Sequence, residues 1–265
     1  MLRPRLTRFH QLLVVAFAMA VAVSVASTGD ARWVGLVAVC TLTGVLVGLG
    51  VSFPQWQLFG ESFCRARIQR KLVALTFDDG PDPENTPALL ALLAERKVRA
   101  TFFCIGERVD RAPELARRSA MEGHSVENHT FRHSPLTNFF SVARLRADLT
   151  RAQEAILRAT GRAPVFFRPP MGLTNDRVFR AAGELGLGVA GYTARGLDRR
   201  ADAPDRIAGR LLRKLRPGAV FLLHDAGAPR MRLLAVVTLV LDGLHAAGYE
   251  CVRLDELRTE HEANH

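Results

Sequence analysis

Two long apolar blocks without a charged residue occupy most of the N-terminal sixty positions. No charge lies between Gln11 and Gly29, and none lies between Trp33 and Gly60. A membrane helix needs roughly 20 consecutive apolar residues. We therefore predict that residues 1–60 form a membrane hairpin of two transmembrane helices. The first block is the shorter one and follows basic residues, so a cleaved signal peptide is the alternative for it.

The charges that flank this hairpin predict its orientation. Its short central turn holds only Asp30 and Arg32, whereas basic residues precede and follow the hairpin. These flanking residues are Arg3, Arg5 and Arg8 on one side and Arg65, Arg67, Arg70 and Lys71 on the other. Because cytoplasmic flanks carry the excess of Lys and Arg, we expect the rest of the chain on the cytoplasmic face of the inner membrane. The periplasmic face is the alternative.

Beyond a polar linker, residues 61–71, short apolar runs alternate with amphipathic segments over residues 72–258. Strands are predicted at Leu72–Phe77, Ala100–Ile105, Ser125–Val126, Val165–Phe167, Gly188–Tyr192, Val220–Leu223 and Cys251–Leu254. Helices are predicted at Pro87–Arg96, Pro113–Glu122, Val142–Thr160, Asn175–Leu185, Pro204–Leu215 and Met231–Ala247. This alternation favours an α/β fold with a parallel sheet, and about seven strands predict a closed or nearly closed barrel. Residues 259–265 are expected to form a tail.

The first predicted strand ends in two adjacent carboxylates, Asp78 and Asp79. Adjacent side chains of a strand point to opposite faces, so both carboxylates reach one site only where the backbone leaves strand geometry. Gly80 tolerates a positive φ and would permit this departure. Sites in such folds lie beyond the carboxyl ends of the strands, which favours a functional pair. The alternative is an acidic turn that caps the next helix.

Histidines follow two other predicted strands. His129 and His133 are four residues apart, a spacing that puts both imidazoles on one face of a helical turn. Two His and one carboxylate form a common open zinc site, for which Asp79 would be the third ligand. Taken alone, the pair would more simply be surface histidines, but the acidic pair and His224 at matching strand ends favour a metal site. For His124, nearer a strand end, we expect a structural role.

Charge and cysteine content exclude some partners. The net charge of +10 over 265 residues suits nucleic acid or an anionic lipid surface. The basic residues are scattered, no nucleic-acid-binding motif is present, and only two Tyr and two Trp are available for stacking. We therefore expect membrane lipid and no nucleic acid as a partner, and infer no obligate protein partner. Four widely spaced cysteines predict neither a disulfide framework nor a thiolate metal site.

Four motifs in a fixed order, TFDDG, HTFRH, RPPMG and FLLHD, resemble the signature of the polysaccharide deacetylase family. This is the NodB homology domain of carbohydrate esterase family 4. The resemblance covers residues 72–257. It implies a distorted (β/α) barrel and metal-dependent removal of an acyl group from a sugar, here in a membrane-anchored bacterial member with a carbohydrate or glycolipid substrate.

The resemblance also implies a role for residues around the metal. Asp78 resembles the general base, and Arg168 resembles the residue that pairs with it. Asp79, His129 and His133 resemble the metal ligands, usually of Zn²⁺.

Further roles fall on the second half of the chain. His224 resembles the general acid, and Asp198 resembles the residue that orients it. The family usually has Trp after this Asp, whereas this chain has Arg199, and Arg195 in a variant arrangement is the alternative to Asp198. Two substrate contacts complete the set, the backbone N–H of Met171 for the oxyanion and Leu222 as a wall of the acetyl pocket.

The expected function is removal of an N-acetyl group from an N-acetylated amino sugar, in a glycolipid or a polysaccharide, by a zinc-activated water. One alternative at the same centre is deformylation or O-deacetylation of a lipid-linked sugar. An alternative of another class is a catalytically inactive membrane scaffold.

Overall fold

Two apolar helices form a hairpin ahead of the α/β part of the chain, in a computed structural model that describes residues 6–264. They are α1 (Arg8–Ala26) and α2 (Gly29–Ser52). At 1.5 Å per residue they are about 29 and 36 Å long, close to the roughly 30 Å hydrocarbon core of a bilayer. Both qualify by length and composition as candidate membrane spans, and a signal sequence would pass the same test. Arg3, Arg5 and the outermost residues of the predicted segments 1–60 and 259–265 lie outside the described residues.

Within residues 6–264, nine strands form one sheet in which all neighbours run parallel. The strands are β1 (Ser62–Phe63), β2 (Leu72–Asp78), β3 (Thr101–Cys104), β4 (Ser125–Asn128), β5 (Phe166–Phe167), β6 (Gly188–Ala190), β7 (Ala194–Arg195), β8 (Ala219–His224) and β9 (Glu250–Val252). Their order is β1-β6-β5-β4-β3-β2-β8-β7, and β9 pairs with β2. The sequence did not predict β1 and β7, because two residues are too few to produce a periodic pattern.

The sheet curls into the distorted barrel that the sequence predicted. One continuous segment, residues 188–195, contains β6, which pairs with β5, and β7, which pairs with β8. This segment therefore connects the two ends of the strand order. β1 lies inside the predicted linker, pairs with β6 and reinforces the same region. The polar residues at the strand ends consequently surround one opening.

Helices cover the outside of the sheet and include two that were not predicted. The helices are α3 (Asn85–Glu95), α4 (Gly106–Arg111), α5 (Pro113–Met121), α6 (Val142–Thr160), α7 (Asp176–Glu184), α8 (Pro204–Leu212), α9 (Arg230–Ala246) and α10 (Leu254–Ala263). The unpredicted ones are α4, which is short, and α10, which takes in residues 259–263 of the expected tail.

In helix α6, the spacing of the apolar residues determines which face of the helix packs on the sheet. Leu145, Leu149 and Ile156 are buried at helical spacing, so one face of the helix covers the sheet. The Ser141 side chain accepts a hydrogen bond from the backbone of the first turn, and Gly161 ends the helix in the left-handed conformation at φ +72°. This firmly packed helix borders the loop that follows β4, and so helps to position the site.

Candidate active site

The two carboxylates at the end of β2 face one site because the backbone turns at Asp79. Asp78 is the last residue of the strand, and Asp79 has a φ of +78°. The sequence analysis attributed this departure to Gly80 and was wrong by one residue. Gly80 is required for another reason, since a Cβ there would overlap the buried carboxylate of Asp225. The helix-capping role in this turn belongs to Asp82, which accepts hydrogen bonds from the backbone N–H groups of Glu84 and Asn85 where α3 begins.

His129 and His133 lie on a loop, and the prediction of a helical turn was wrong. The Asn128 carboxamide accepts a hydrogen bond from the Thr130 N–H, and the Thr130 hydroxyl accepts one from the His133 N–H. Such side-chain bonds to the backbone compete with helix formation, and both Thr130 and His133 have positive φ. The imidazole rings nevertheless come within 4.9 Å of each other, centroid to centroid.

Neighbouring elements hold this loop in place. The Asp148 carboxylate, on α6, accepts a hydrogen bond from the Phe131 N–H at 2.8 Å. At the start of α4, the N–H groups of Gly106 and Glu107 donate to carbonyl groups of the same loop. The two histidines are thus fixed by helices on either side of them.

Asp79, His129 and His133 form a donor set that fits a divalent metal ion. One ligand atom from each lies within 4.8 Å of the others. Asp79 Oδ1 is 3.3 Å from Nε2 of His129 and 3.2 Å from Nε2 of His133, yet this buried oxygen has no hydrogen-bond partner.

The protonation of His129 explains why that oxygen has no partner. Nδ1 of His129 is 2.7 Å from the Arg168 carbonyl, which can only accept, so Nδ1 carries the proton. In the neutral ring Nε2 then presents a lone pair to the Asp79 carboxylate. Two electron-pair donors at this distance call for a cation between them, and a backbone carbonyl that orients the ring is the usual support of a metal-binding histidine.

Asp78 is held by a fully buried arginine. Arg168 is 1% exposed and donates from Nη1 to Asp78 Oδ1 and to the Thr76 hydroxyl, both at 2.7 Å. Its Nη2 donates to the Gly191 carbonyl, and its guanidinium stacks on Phe103 at 4.0 Å. The second carboxylate oxygen of Asp78 faces the donor set, 4.0 Å from His129 Nε2. Asp78 therefore borders the donor set with one oxygen engaged and one free.

His224 is oriented by Asp198. The carboxylate of Asp198 lies 3.0 Å from His224 Nδ1 and accepts the His224 backbone N–H at 2.8 Å. Since a carboxylate only accepts, Nδ1 carries a proton, and Nε2 faces the site 4.0 Å from Asp79 Oδ2. Burial lowers the pKa of His224, but the hydrogen bond that His224 donates to Asp198 and the negative charge nearby outweigh burial, so the pKa is raised.

These side chains surround one cavity of about 300 Å³. Seven of the nine residues singled out from the sequence line it, namely Asp78, Asp79, His129, His133, Met171, Leu222 and His224. Arg168 and Asp198 lie behind Asp78 and His224 and contact them. Met171 has a φ of +59° and is exposed, whereas Leu222 is 6% exposed. His124 lies elsewhere, buried, with its Nδ1 accepting the Ala100 N–H, which agrees with a structural role.

The sequence analysis assigned no site role to Tyr192, Leu197, Arg199 and Arg200, all of which line the cavity. Arg195, named only as the alternative to Asp198, lines it too. Arg199 donates to Asp79 Oδ2, so the arginine that replaces the expected Trp contacts the donor set directly. The signal available in the sequence was that all five residues lie at the end of the fifth predicted strand or in the eight positions that follow it.

Three comparisons with known proteins agree on a family. Residues 65–190 match the family model described as polysaccharide deacetylase. The chain is 36% identical over 189 residues to the peptidoglycan-N-acetylglucosamine deacetylase of Bacillus cereus, covering 71% of this chain and 88% of that protein. It is 34% identical over 197 residues to the chitooligosaccharide deacetylase of Bradyrhizobium sp., covering 70% of this chain and 90% of the relative.

A solved structure has the same fold. The family 4 acetyl xylan esterase from Clostridium thermocellum, in complex with a cobalt ion, matches with a TM-score of 0.66 at 32% identity, over 71% of this chain and 91% of that one. Identity above 30% across most of each relative, on a shared barrel, means that the chain belongs to the polysaccharide deacetylase family.

Proposed function

We propose that this protein is a membrane-anchored, zinc-dependent hydrolase that removes the N-acetyl group from an acetylated amino sugar. The observation that carries the proposal is the convergence of Asp79, His129 and His133 on one point, with Asp78 and His224 beside it. Two imidazoles and one carboxylate leave an open coordination position, as in catalytic zinc sites. The relatives named above are deacetylases of N-acetylated sugars.

The metal ligands are Asp79, His129 and His133. A divalent ion bound there supplies Lewis acidity, which polarises a carbonyl oxygen and lowers the pKa of water. The hydrogen bond from Nδ1 of His129 to the Arg168 carbonyl keeps the ligating nitrogen unprotonated.

Asp78 acts as the general base. Its Oδ1 accepts a hydrogen bond from Arg168, which fixes the orientation of the carboxylate. Its other oxygen faces the donor set and takes the proton from the attacking water. Arg168 is a positioning residue in this scheme, because it is buried and reaches the reaction only through Asp78.

His224 acts as the general acid. In its imidazolium form, which the Asp198 carboxylate at Nδ1 stabilises, His224 presents the Nε2 proton to the site. An amine is a poor leaving group until its nitrogen is protonated, so this acid favours an amide over an ester as the bond that is cleaved. The N–H of Met171 binds the oxyanion, and the nearly buried Leu222 contacts the acetyl methyl group.

A glycolipid is the substrate class we favour. The Thr174 N–H donates to the Val51 carbonyl at 3.0 Å, and the Gln55 carboxamide donates to the Tyr192 carbonyl at 3.0 Å. The C-terminal end of α2 thus adjoins the cavity wall. An enzyme held with its site beside an apolar hairpin has its best access to a sugar that is itself linked to lipid.

A substrate panel tests this function. Full-length protein in detergent, reconstituted with Zn²⁺, is incubated with N-acetyl, N-formyl and O-acetyl sugars, and acid release is measured. We expect acetate from the N-acetyl sugars. Faster release from formyl or O-acetyl sugars would replace the proposed reaction by one of the alternatives at the same centre. If no acid is released from any of these sugars, the inactive membrane scaffold becomes the favoured alternative.

Fusions test the membrane arrangement. The flanking basic residues favour the cytoplasmic face, so a C-terminal green fluorescent protein should be bright and a C-terminal alkaline phosphatase inactive. The opposite pair of results would put the catalytic domain in the periplasm, where a cell-wall polymer is the substrate within reach.

A further inference from the structure

Three arginines line the same cavity as the donor set. Arg195 ends β7, and Arg199 and Arg200 lie in the loop that follows it. All three are exposed. Arg199 contacts Asp79, a residue proposed to bind the metal. The wall formed by residues 195–200 is therefore strongly basic beside the reaction centre.

Three acidic groups near this wall are paired with other side chains. Asp78 is paired with Arg168, and Asp198 with His224. Asp202, two residues beyond Arg200, is bound by Arg210. Within residues 6–264, neither Arg195 nor Arg200 has a side-chain hydrogen bond or an ion pair. The cavity wall thus carries two guanidinium groups that form no hydrogen bond with an acidic side chain of the described residues.

An anionic ligand explains this arrangement. Guanidinium groups bind oxyanions through paired N–H donors, and neighbouring guanidinium groups repel each other until an anion lies between them. A phosphoryl group carries a charge of about −1.5 to −2 at neutral pH and has three acceptor oxygens. It can therefore bind two arginines at once more favourably than a carboxylate, which has one negative charge and two oxygens.

We propose that the substrate carries a phosphoryl group on or next to its acetylated sugar, and that Arg195 and Arg200 bind it. This inference rests on the proposed function for the site, and it adds the charge of the substrate. The phosphoryl group has two sources, a soluble sugar phosphate or a lipid-linked sugar phosphate. The position of the cavity beside the end of α2 favours the lipid-linked source.

Matched probes and variants test the proposal on the zinc-loaded full-length protein in detergent. The probes are N-acetylglucosamine 1-phosphate, the neutral methyl glycoside of N-acetylglucosamine, and N-acetylmuramic acid, which carries a carboxylate. Binding is measured by calorimetry, and KM and kcat from acetate release. The variants are Arg195→Gln and Arg200→Gln. The control is Arg213→Gln, an exposed arginine that ends α8 outside the cavity.

We expect the wild-type protein to bind the phosphorylated sugar about tenfold more tightly than the neutral one, or better. Arg195→Gln and Arg200→Gln should each lose about tenfold on the phosphorylated sugar alone, through Kd and KM with kcat retained. Arg213→Gln should behave as wild type, and added NaCl should reduce the preference. Since all three side chains are exposed, the variants should keep the wild-type melting temperature.

Other outcomes overturn the proposal. Equal binding of the neutral and phosphorylated sugars, or wild-type affinity in both cavity variants, would eliminate the phosphoryl site. Tighter binding of N-acetylmuramic acid would replace the phosphoryl group by a carboxylate. If no probe is hydrolysed but the phosphate preference and its loss in the variants are observed, the proposed reaction fails while the anion site stands. A polyprenyl-phosphate-linked N-acetylglucosamine in mixed micelles, compared with the soluble phosphate, then assigns the source by its lower Kd.

Discussion

Replacing Asp78 by Asn tests the proposed general base separately from the proposed metal ligands. Asp78 and Asp79 are adjacent, both buried and chemically identical, but they face different partners. Asp79 Oδ1 faces Nε2 of two histidines at 3.2 and 3.3 Å, whereas Asp78 Oδ1 is bound to Arg168. We predict that Asp78→Asn abolishes turnover with zinc retained, and that Asp79→Asn loses the zinc.

The magnitude follows from the contacts of Asp78. A general base contributes about 10²- to 10⁴-fold in rate, so kcat should fall at least about 100-fold. Asn keeps an oxygen that can accept from Arg168, so the buried ion pair becomes a hydrogen bond between an ion and a neutral group. We expect a loss of roughly 1.5–3 kcal/mol in the free energy of unfolding, below the 3–5 kcal/mol typical when a buried partner is removed. The variant should therefore stay folded.

Three measurements on the same preparations decide the matter. Acetate release gives kcat, elemental analysis gives bound zinc per chain, and urea unfolding gives stability. Asp79→Asn is the matched control, because it is the same chemical change one residue along. Near-wild-type turnover in Asp78→Asn would refute its role as base. Loss of zinc from Asp78→Asn, with zinc kept by Asp79→Asn, would refute the assignment of the ligands.

Three further predictions concern the metal, the acid and the packing. Chelation should abolish activity and lower the melting temperature, and added Zn²⁺ should restore both. The reason is that a ligand at 1,000 times its Kd adds about 4 kcal/mol to the stability of the folded state. An unchanged melting temperature would contradict this prediction. Asp198 contributes to the raised pKa of His224, so Asp198→Asn should lower that pKa. The alkaline limb of the plot of kcat against pH should then move to lower pH. A limb that does not move would argue against His224 as the general acid. Gly80→Ala should destabilise the fold by about 1–3 kcal/mol through overlap with Asp225. Gly183→Ala, on α7 with open space around it, should be neutral or stabilising in the same urea titration.

The candidate site could be predicted because its polar residues follow directly after apolar runs of the sequence. Parallel strands bring their carboxyl ends to one edge, so polar residues after β2, β4 and β8 had to lie near each other once the β–α alternation was recognised. This reasoning reached Asp78, Asp79, His129, His133 and His224 from one-dimensional information. Even so, it showed only that the residues could meet, because the turn at Asp79 and the loop of His129 and His133 were predicted incorrectly.

The sequence by itself determined the parallel α/β barrel and the apolar hairpin, since both follow from hydrophobic periodicity and from uncharged length. The tertiary structure alone decided the rest. It turned the backbone at Asp79, placed the histidines on a loop, and brought Arg195, Arg199 and Arg200 to the cavity wall. Those features depend on hydrogen bonds and steric contacts between residues far apart in the chain. Such contacts do not produce a periodic pattern in the amino-acid sequence.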